Sequence, residues 1–337
     1  MVDMTAEKTE DGSFEVFSFG DPEPVLSARG LLDYIECVPL QKWYDPPISL
    51  DGLARVARSA VWHESPMILK RNILAGMFKP NKIMDRQTFA RFCWEFMVFG
   101  NAYLVPQKNL LGGTLKLQCP LTKYTRRGIE RGQYWYVPRW NEEIELTQVF
   151  HLMEPDLNQD VYGVPQYMSA LQSALLNESA TLFRRRYYEN GSHAGFILYM
   201  TDATHNSDDI KDIKMSLRNS KGVGNFKNLF VYAPNGKKDG IQLIPIAEIA
   251  AKDEFVGIKN MSRDDLLAAH RVPPQLIGVI PNNTGGFGDA EKAARILAIN
   301  EIGPLTQRLM EVNDWLGEEV MTFGEYPLAA LAAAAPA

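Results

Sequence analysis

The sequence predicts an α+β chain of several parts, organised around residues 248–316, where two long helices carry a flexible polar loop between them. Three observations lead there. A helix from Glu248 to His270 meets a rigid stop, Val272-Pro273-Pro274-Gln275-Leu276-Ile277-Gly278. Proline fixes φ and lacks an N–H, so two in a row end a helix. The loop that follows, Pro281-Asn282-Asn283-Thr284-Gly285-Gly286-Phe287-Gly288, has three glycines in four positions and is costly to order. Asp289 can then cap a second long helix. That helix places Ile302, Leu305, Leu309, Val312 and Leu316 on one apolar stripe, and Pro304 should kink it near Gly303.

The remaining elements follow in chain order. Residues 1–24, acidic and polar with Asp21-Pro22-Glu23-Pro24 at their end, read as a disordered arm. Residues 25–50 are mixed, with a break at Pro46-Pro47. Leu53–Phe78 reads as helical in two pieces split at Pro66. Thr88–Phe99 sets Phe89, Phe92, Cys93, Phe96 and Phe99 at helical spacing, a pattern expected in a core, and Gly100-Asn101 ends it. The pattern then turns to strands at Ala102–Gln107, Thr114–Cys119, Gln133–Arg139 and Val149–Leu152. Turns are expected at Gly112-Gly113, Arg127-Gly128 and Asn141-Glu142, giving a small mixed α+β domain.

Pro155–Gly163 is an acidic loop, and Val164–Asn190 is helical with Gly191 as its closing glycine. Strands at Gly195–Met200, Lys227–Tyr232 and Ile241–Ile246, with a charged helix at Asp208–Asn219, form a compact excursion between the two long helices. A sheet this small is marginal alone and is expected to be completed by a neighbour. The alanine-rich stretch Leu328–Ala337 is expected to be poorly ordered.

Composition excludes more than it assigns. The chain has 337 residues, 46% apolar and 23% charged, with a net charge of −6, so it is not a general nucleic-acid gripper. No apolar run approaches the ~20 residues a membrane span needs, and Met1–Gly20 lacks the features of a signal peptide. Cys37, Cys93 and Cys119 are widely spaced, as expected in a reducing cytoplasm. The histidines at 63, 151, 193, 205 and 270 show no metal-ligand spacing, and no nucleophile elbow or Walker A occurs. Asp208-Asp209 and Asp264-Asp265 are adjacent pairs, better suited to solvated surfaces than to acid–base work. Neither cofactor nor metal is expected, and nothing favours an enzyme. The alternative is an enzyme that binds a phosphorylated ligand at the Gly-rich loop 284–289. Arg184, Arg185 and Arg186 point three ways round a helix, and two readings stay open. They serve the helix dipole and surface pairing, or an anionic or subunit partner.

Four stretches together carry a resemblance. They are Gly100-Asn101-Ala102-Tyr103 after the aromatic helix, Tyr162-Gly163-Val164-Pro165 before a long helix, Tyr187–Leu198, and His270–Gly278 with its Val-Pro-Pro and Ile-Gly. In order and spacing they resemble the portal proteins of tailed bacteriophages, nearest to the P2-like and PBSX-like families, over residues 50–316.

The resemblance implies a portal-like subunit that assembles as a ring of copies, usually twelve, at one capsid vertex. Residues 25–165 would be the wing, 166–194 and 247–272 the stem helices, and 195–246 the clip. Residues 273–288 would be the tunnel loop, 289–325 a kinked helix returning to wing and crown, and 326–337 a tail. Double-stranded DNA would pass the tunnel loop at Asn282, Asn283, Thr284, Gly285, Gly286, Phe287 and Gly288. No lysine or arginine occurs between Val279 and Gly288, so DNA would slide rather than stick. Phe287 either presses on the duplex or packs on its own helix. Stem or subunit contacts would come from Arg184, Arg185, Arg186, Lys252, Lys259 and Arg263. The clip would dock terminase and connector proteins through Lys211, Lys214, Arg218 and Lys221. Other implied partners are the major capsid, scaffold and head-completion proteins, with no membrane. The implied location is the virion portal vertex, and the host cytoplasm during assembly.

Overall fold

The computed structural model describes residues 15–17, 37, 39, 41–139, 142–189, 196–200, 229–232, 241–245, 249–279 and 289–326. The chain divides into two compact units: Met1–Val25 with Glu178–Asn260, and Leu26–Asn177 with Met261–Ala337. Strand β1 (Glu15–Phe17) belongs to the first unit.

In the second unit, α1 (Leu50–Val56) starts where the Ser49 hydroxyl accepts from the Gly52 N–H, and buries Leu50, Leu53 and Val56. Helix α2 (Val61–Met77) follows after a turn. The helical stretch is therefore broken at 57–60, not at Pro66, which lies buried inside α2. Two features explain the shift. The N–H groups of Arg58 and Ser59 fold back on the Arg55 and Val56 carbonyls, and the Ser59 hydroxyl takes the Val56 carbonyl again at 2.9 Å. Pro66 falls in the second turn, where its missing N–H removes one hydrogen bond near the helix start.

Helix α3 (Arg86–Phe99) is capped by Asp85, whose carboxylate accepts from the Thr88 N–H at 2.7 Å, and ends at Gly100 with φ +65°. Its aromatic stripe is core: Phe89, Phe92, Cys93, Phe96 and Phe99 are all buried. Phe78 stacks on Phe89 with ring centres 4.1 Å apart.

Six short strands follow: β2 (Asn101–Lys108), β3 (Thr114–Gln118), β4 (Thr125–Arg127), β5 (Tyr134–Arg139), β6 (Glu142–Leu146) and β7 (Phe150–Met153). They make two antiparallel three-stranded sheets, ordered β3-β2-β7 and β4-β5-β6. Arg127 and Glu142, expected in turns, belong to strands, with Arg127 opposite Tyr134 and Glu142 opposite Arg139. The charges hid them. Glu142-Glu143-Ile144-Glu145-Leu146 is an edge strand, and edges carry charge to resist further pairing.

Helix α4 (Leu171–Glu189) follows a 3₁₀ turn at Gln166–Ala170, and α5 (Ile249–Ala269) runs antiparallel to it. Within the second unit the Ser173 hydroxyl donates to Asp265 at 2.9 Å and the Asn177 amide to Ser262 at 2.7 Å. Ala60, Ala170, Ala174 and Leu266 pack beside these contacts. In the first unit, β8 (Phe196–Met200), β9 (Leu229–Tyr232) and β10 (Ile241–Pro245) lie where strands were expected. Their sheet is ordered β1-β9-β8-β10, with β8 and β9 parallel. One expectation changes here: Glu15–Phe17 is a strand, paired antiparallel with β9, and not part of a structureless arm. The expected helix Asp208–Asn219 and the closing Gly191 lie outside the described residues.

The C-terminal helix is divided. Asp289 caps α6 (Ala290–Leu297) by accepting from the Lys292 N–H at 2.9 Å, a π-helical turn spans Ala298–Ile302, and α7 runs Gly303–Leu316. The turn widens so that the Gly303 N–H reaches back five residues to the Ala298 carbonyl, just before Pro304. Ile302, Leu309 and Val312 are buried, with Leu305 and Leu316 packed against the same core. The expected helix over 289–325 stops at Leu316, because Gly317 closes it at φ +76°. Val320 and Met321 then return into the core. Their N–H groups donate to the Asn313 side-chain oxygen at 2.8 and 2.7 Å, and Phe323 bridges to Phe78.

Candidate channel loop and the framework beneath it

Two stretches far apart in sequence meet at one point. At Gly100 a β-carbon would lie 2.6 Å from the Val164 carbonyl carbon. Asn101, buried beside it, uses its whole amide. The amide nitrogen donates to the Phe99 and Gly163 carbonyls at 2.9 and 2.7 Å. The amide oxygen accepts from the Gly163 N–H at 2.7 Å and from His151 Nε2 at 2.9 Å. Burial, with Arg127 nearby, lowers the His151 pKa to about 3, so its ring is neutral. The Tyr162 hydroxyl donates to the Tyr44 carbonyl at 2.6 Å and accepts from the Arg127 N–H at 2.9 Å. This knot ties α3, both small sheets and the start of the long helix together.

The base of the loop is built just as tightly. Helix α5 ends at His270-Arg271, with Arg271 at φ +53°, and the two prolines lead into a 3₁₀ turn at Pro274–Ile277 that ends at Gly278, φ +79°. Val272 is buried in the main core. His270 Nε2 lies 2.9 Å from His63 Nδ1 on α2. Burial depresses both rings, His63 to about 4 and His270, with His63 and cations beside it, to about 2. One ring therefore donates and the other accepts.

Glu301, buried in the π-turn, accepts from Lys70 at 2.6 Å and from Arg271 at 3.1 Å, and Arg271 also donates to Gln166 at 2.9 Å. Burial lowers the Lys70 pKa, and the Glu301 partner opposes that shift. Arg308 on α7 donates to Glu154 at 2.5 Å and to the Met153 carbonyl at 2.9 Å. Both flanks of the loop, Arg271 before it and Glu301 after it, are thus joined to each other and to α2.

The predicted site residues fall unevenly. Asn282, Asn283, Thr284, Gly285, Gly286, Phe287 and Gly288 lie outside the described residues, as do Lys211, Lys214, Arg218 and Lys221. The side chains of Arg186 and Lys252 are also outside them. Arg184 and Arg185 are exposed on α4. Lys259 has its pKa lowered by burial and then by Arg184, which places those two cations near each other. Arg263 is buried and pairs with Asp264 at 2.9 Å. Sequence reasoning missed Lys70, Glu301 and the two histidines. The residues quoted for the resemblance contained Asn101, His270 and Arg271, but assigned them no role. Among the described residues, no group of three His, Cys, Asp or Glu is placed to hold a metal. No described helix is long and apolar enough to cross a membrane.

A mixed α+β domain, paired long helices, a stiff proline turn after α5, and flanks at Arg271 and Glu301 that join each other are the frame of a scaffold subunit of the portal type. The phage portal protein family matches residues 67–329, and the chain belongs to that family. It is 52% identical over 316 residues to the probable portal protein of Escherichia phage P2, covering 93% of this chain and 92% of that one. It is 36% identical over 296 residues to the probable portal protein of Haemophilus phage HP1, covering 85% and 86%. In fold it is similar to a chain from the neck of a native GTA particle computed with C12 symmetry. That likeness has a TM-score of 0.61 at 15% identity and covers 91% of this chain and 92% of the other. It is also similar to an HK97-family phage portal protein from Corynebacterium diphtheriae, with a TM-score of 0.57 at 14% identity, covering 84% and 97%.

Proposed function

We propose that this portal protein forms a closed ring, of twelve copies, at one vertex of a phage head, with double-stranded DNA passing through the hole during packaging and ejection. The observation that carries the reading is the family match at 52% identity over nearly the whole chain. The C12 symmetry of the similar neck structure supports the ring number. The loop 279–288 lines the channel and contains no lysine or arginine, consistent with a net charge of −6. Residues 195–246 dock the terminase and connector proteins, and the capsid, scaffold and head-completion proteins contact the ring in the virion. Assembly takes place in the host cytoplasm. The role is structural, with no catalytic step, and the phosphorylated-ligand enzyme is the weaker reading.

Electron microscopy of the purified chain tests this directly. Rings with a central hole are expected, and a monomer at micromolar concentration would sink the proposal. Titration with nucleotides should show no binding, whereas saturable binding lost on replacing Gly285 and Gly286 would favour the enzyme.

A further inference from the structure

We propose that a small monovalent anion, such as chloride, binds in a cavity at the base of the loop, held by Lys70 Nζ and His270 Nδ1. The site does not depend on the ring reading above. The cavity measures about 40 Å³ and lies between α2, α3, the end of α5 and the start of α7. That is room for about two waters or one small inorganic ion.

The histidine pair fixes what His270 offers. His63 Nε2 is buried and has no partner among the described residues. An orphaned buried N–H costs more than a bare ring nitrogen, so the His63 proton sits on Nδ1 and donates to His270 Nε2 at 2.9 Å. The neutral His270 ring then carries its own proton on Nδ1. That N–H has no acceptor among the described residues. His270 is 6% exposed and lines the cavity.

Lys70 adds further donors to the same wall. It is 7% exposed and also lines the cavity. Glu301 takes one of the three ammonium N–H groups, at 2.6 Å. The others have no acceptor among the described residues. Glu154 lines the cavity too, but Gln166 and Arg308 already occupy its two oxygens. Buried donors are normally satisfied, so these converge on an acceptor that the chain itself does not supply.

The charge balance selects the ligand. One network surrounds the cavity: Lys70 and Arg271 on Glu301, Arg271 on Gln166, Gln166 on Glu154, and Arg308 on Glu154. Three cations against two carboxylates leave one positive charge in excess. A monovalent anion neutralises that charge and accepts from both donors. A metal ion would add to the excess and would find N–H groups where it needs lone pairs. The bound anion bridges α2 to the end of α5, just before the proline turn.

Melting at fixed ionic strength tests the site in the full chain. Replacing gluconate, which is too large for the cavity, with chloride should raise the melting temperature by about 2 °C and then saturate. Lys70→Met/Glu301→Leu removes a donor and a carboxylate together, keeps the charge balance, and should show no such rise. Crystals soaked in bromide give the direct reading, an anomalous peak within hydrogen-bond reach of Lys70 Nζ and His270 Nδ1. Water alone in the cavity at high bromide would overturn the proposal. So would a rise that both proteins share equally, or the absence of any rise in the wild type.

Discussion

Gly163 lies directly over Gly100: a β-carbon on Gly163 would stand 2.0 Å from the Gly100 carbonyl oxygen, which itself accepts from the Glu154 N–H at 2.7 Å. The clash is with backbone on all sides, so no rotamer change relieves it. Gly163→Ala should lose about 3 kcal/mol in denaturant unfolding. Gly100→Ala should lose a similar amount, because φ +65° adds strain to its 2.6 Å contact. Gly132→Ala is the control, with φ +83° but nothing within 4 Å, and should lose only about 1 kcal/mol. Equal losses at all three positions would refute the packing account.

Asn101 gives a sharper test of the same knot. Its amide nitrogen faces two carbonyls at 2.9 and 2.7 Å, so Asn101→Asp sets a carboxylate oxygen against both. The loss should be about 3 kcal/mol or more at pH 8. The introduced acid is buried and raised in pKa, so acidification should restore part of the loss relative to wild type. A pH-independent difference would mean that the site relaxes around the new oxygen.

Lys70 and Glu301 are each 8% exposed. Removing one charge leaves the other buried, so Glu301→Leu or Lys70→Met alone should cost about 3–5 kcal/mol, and the pair together much less than the sum. A double-mutant cycle by urea unfolding measures the coupling. Additive single losses would show that the pair is not one unit. The same variants should leave the loop flanks more open to proteolysis near Val279.

The helical frame was legible in the sequence because its signals are local. Two prolines after Val272, an acidic cap at 289 and a stripe at spacing three and four each act within a turn or two. The latch was not legible. Lys70 and Glu301 are 231 residues apart, and a lysine or glutamate in a helix looks the same in sequence whether solvated or buried. Strand β1 was missed for a related reason: Glu15-Val16-Phe17 is short, and its partner is Leu229–Tyr232. The motifs Gly100-Asn101 and Tyr162-Gly163 marked the knot without revealing it, since only the fold brings them into contact.

Acid should weaken the fold through its buried imidazoles. His63, His151 and His270 have pKa values lowered to about 4, 3 and 2 from 6.5, mainly by burial. The unfolded chain binds these protons first, so stability is complete above pH 6.5 and falls as pH drops below it. Each histidine contributes about 1.4 kcal/mol per pH unit until its folded pKa is reached. Glu95, raised by burial, acts in the opposite sense near the acidic end. Melting temperature should drop steeply between pH 6.5 and 4.5, and His151→Gln should remove one proton's share of that slope. A flat profile across this window would show that the rings stay solvated.

The loop 279–288 should touch DNA by shape rather than by charge. Its flanks are anchored: Gly278 ends the proline turn, Asp289 caps α6, and Glu301 joins the far flank back to Arg271. If the loop lines the DNA path, Asn282, Asn283 and Thr284 would offer hydrogen bonds to phosphate that carry no sequence information. Gly285 and Gly286 permit rearrangement with little strain. Asn282→Lys/Asn283→Lys places two cations in each subunit on the proposed DNA path. A lysine paired with a phosphate strengthens binding and makes it salt-dependent, so translocation should slow at low salt and recover at high salt, with rings intact. The assay is packaging by purified heads and terminase at two salt concentrations, with ring integrity checked by microscopy. Gly285→Val/Gly286→Val should impair packaging at both concentrations, because stiffness is not screened by salt. If the lysine variant packages at the wild-type rate at low salt, this loop does not line the path of the duplex.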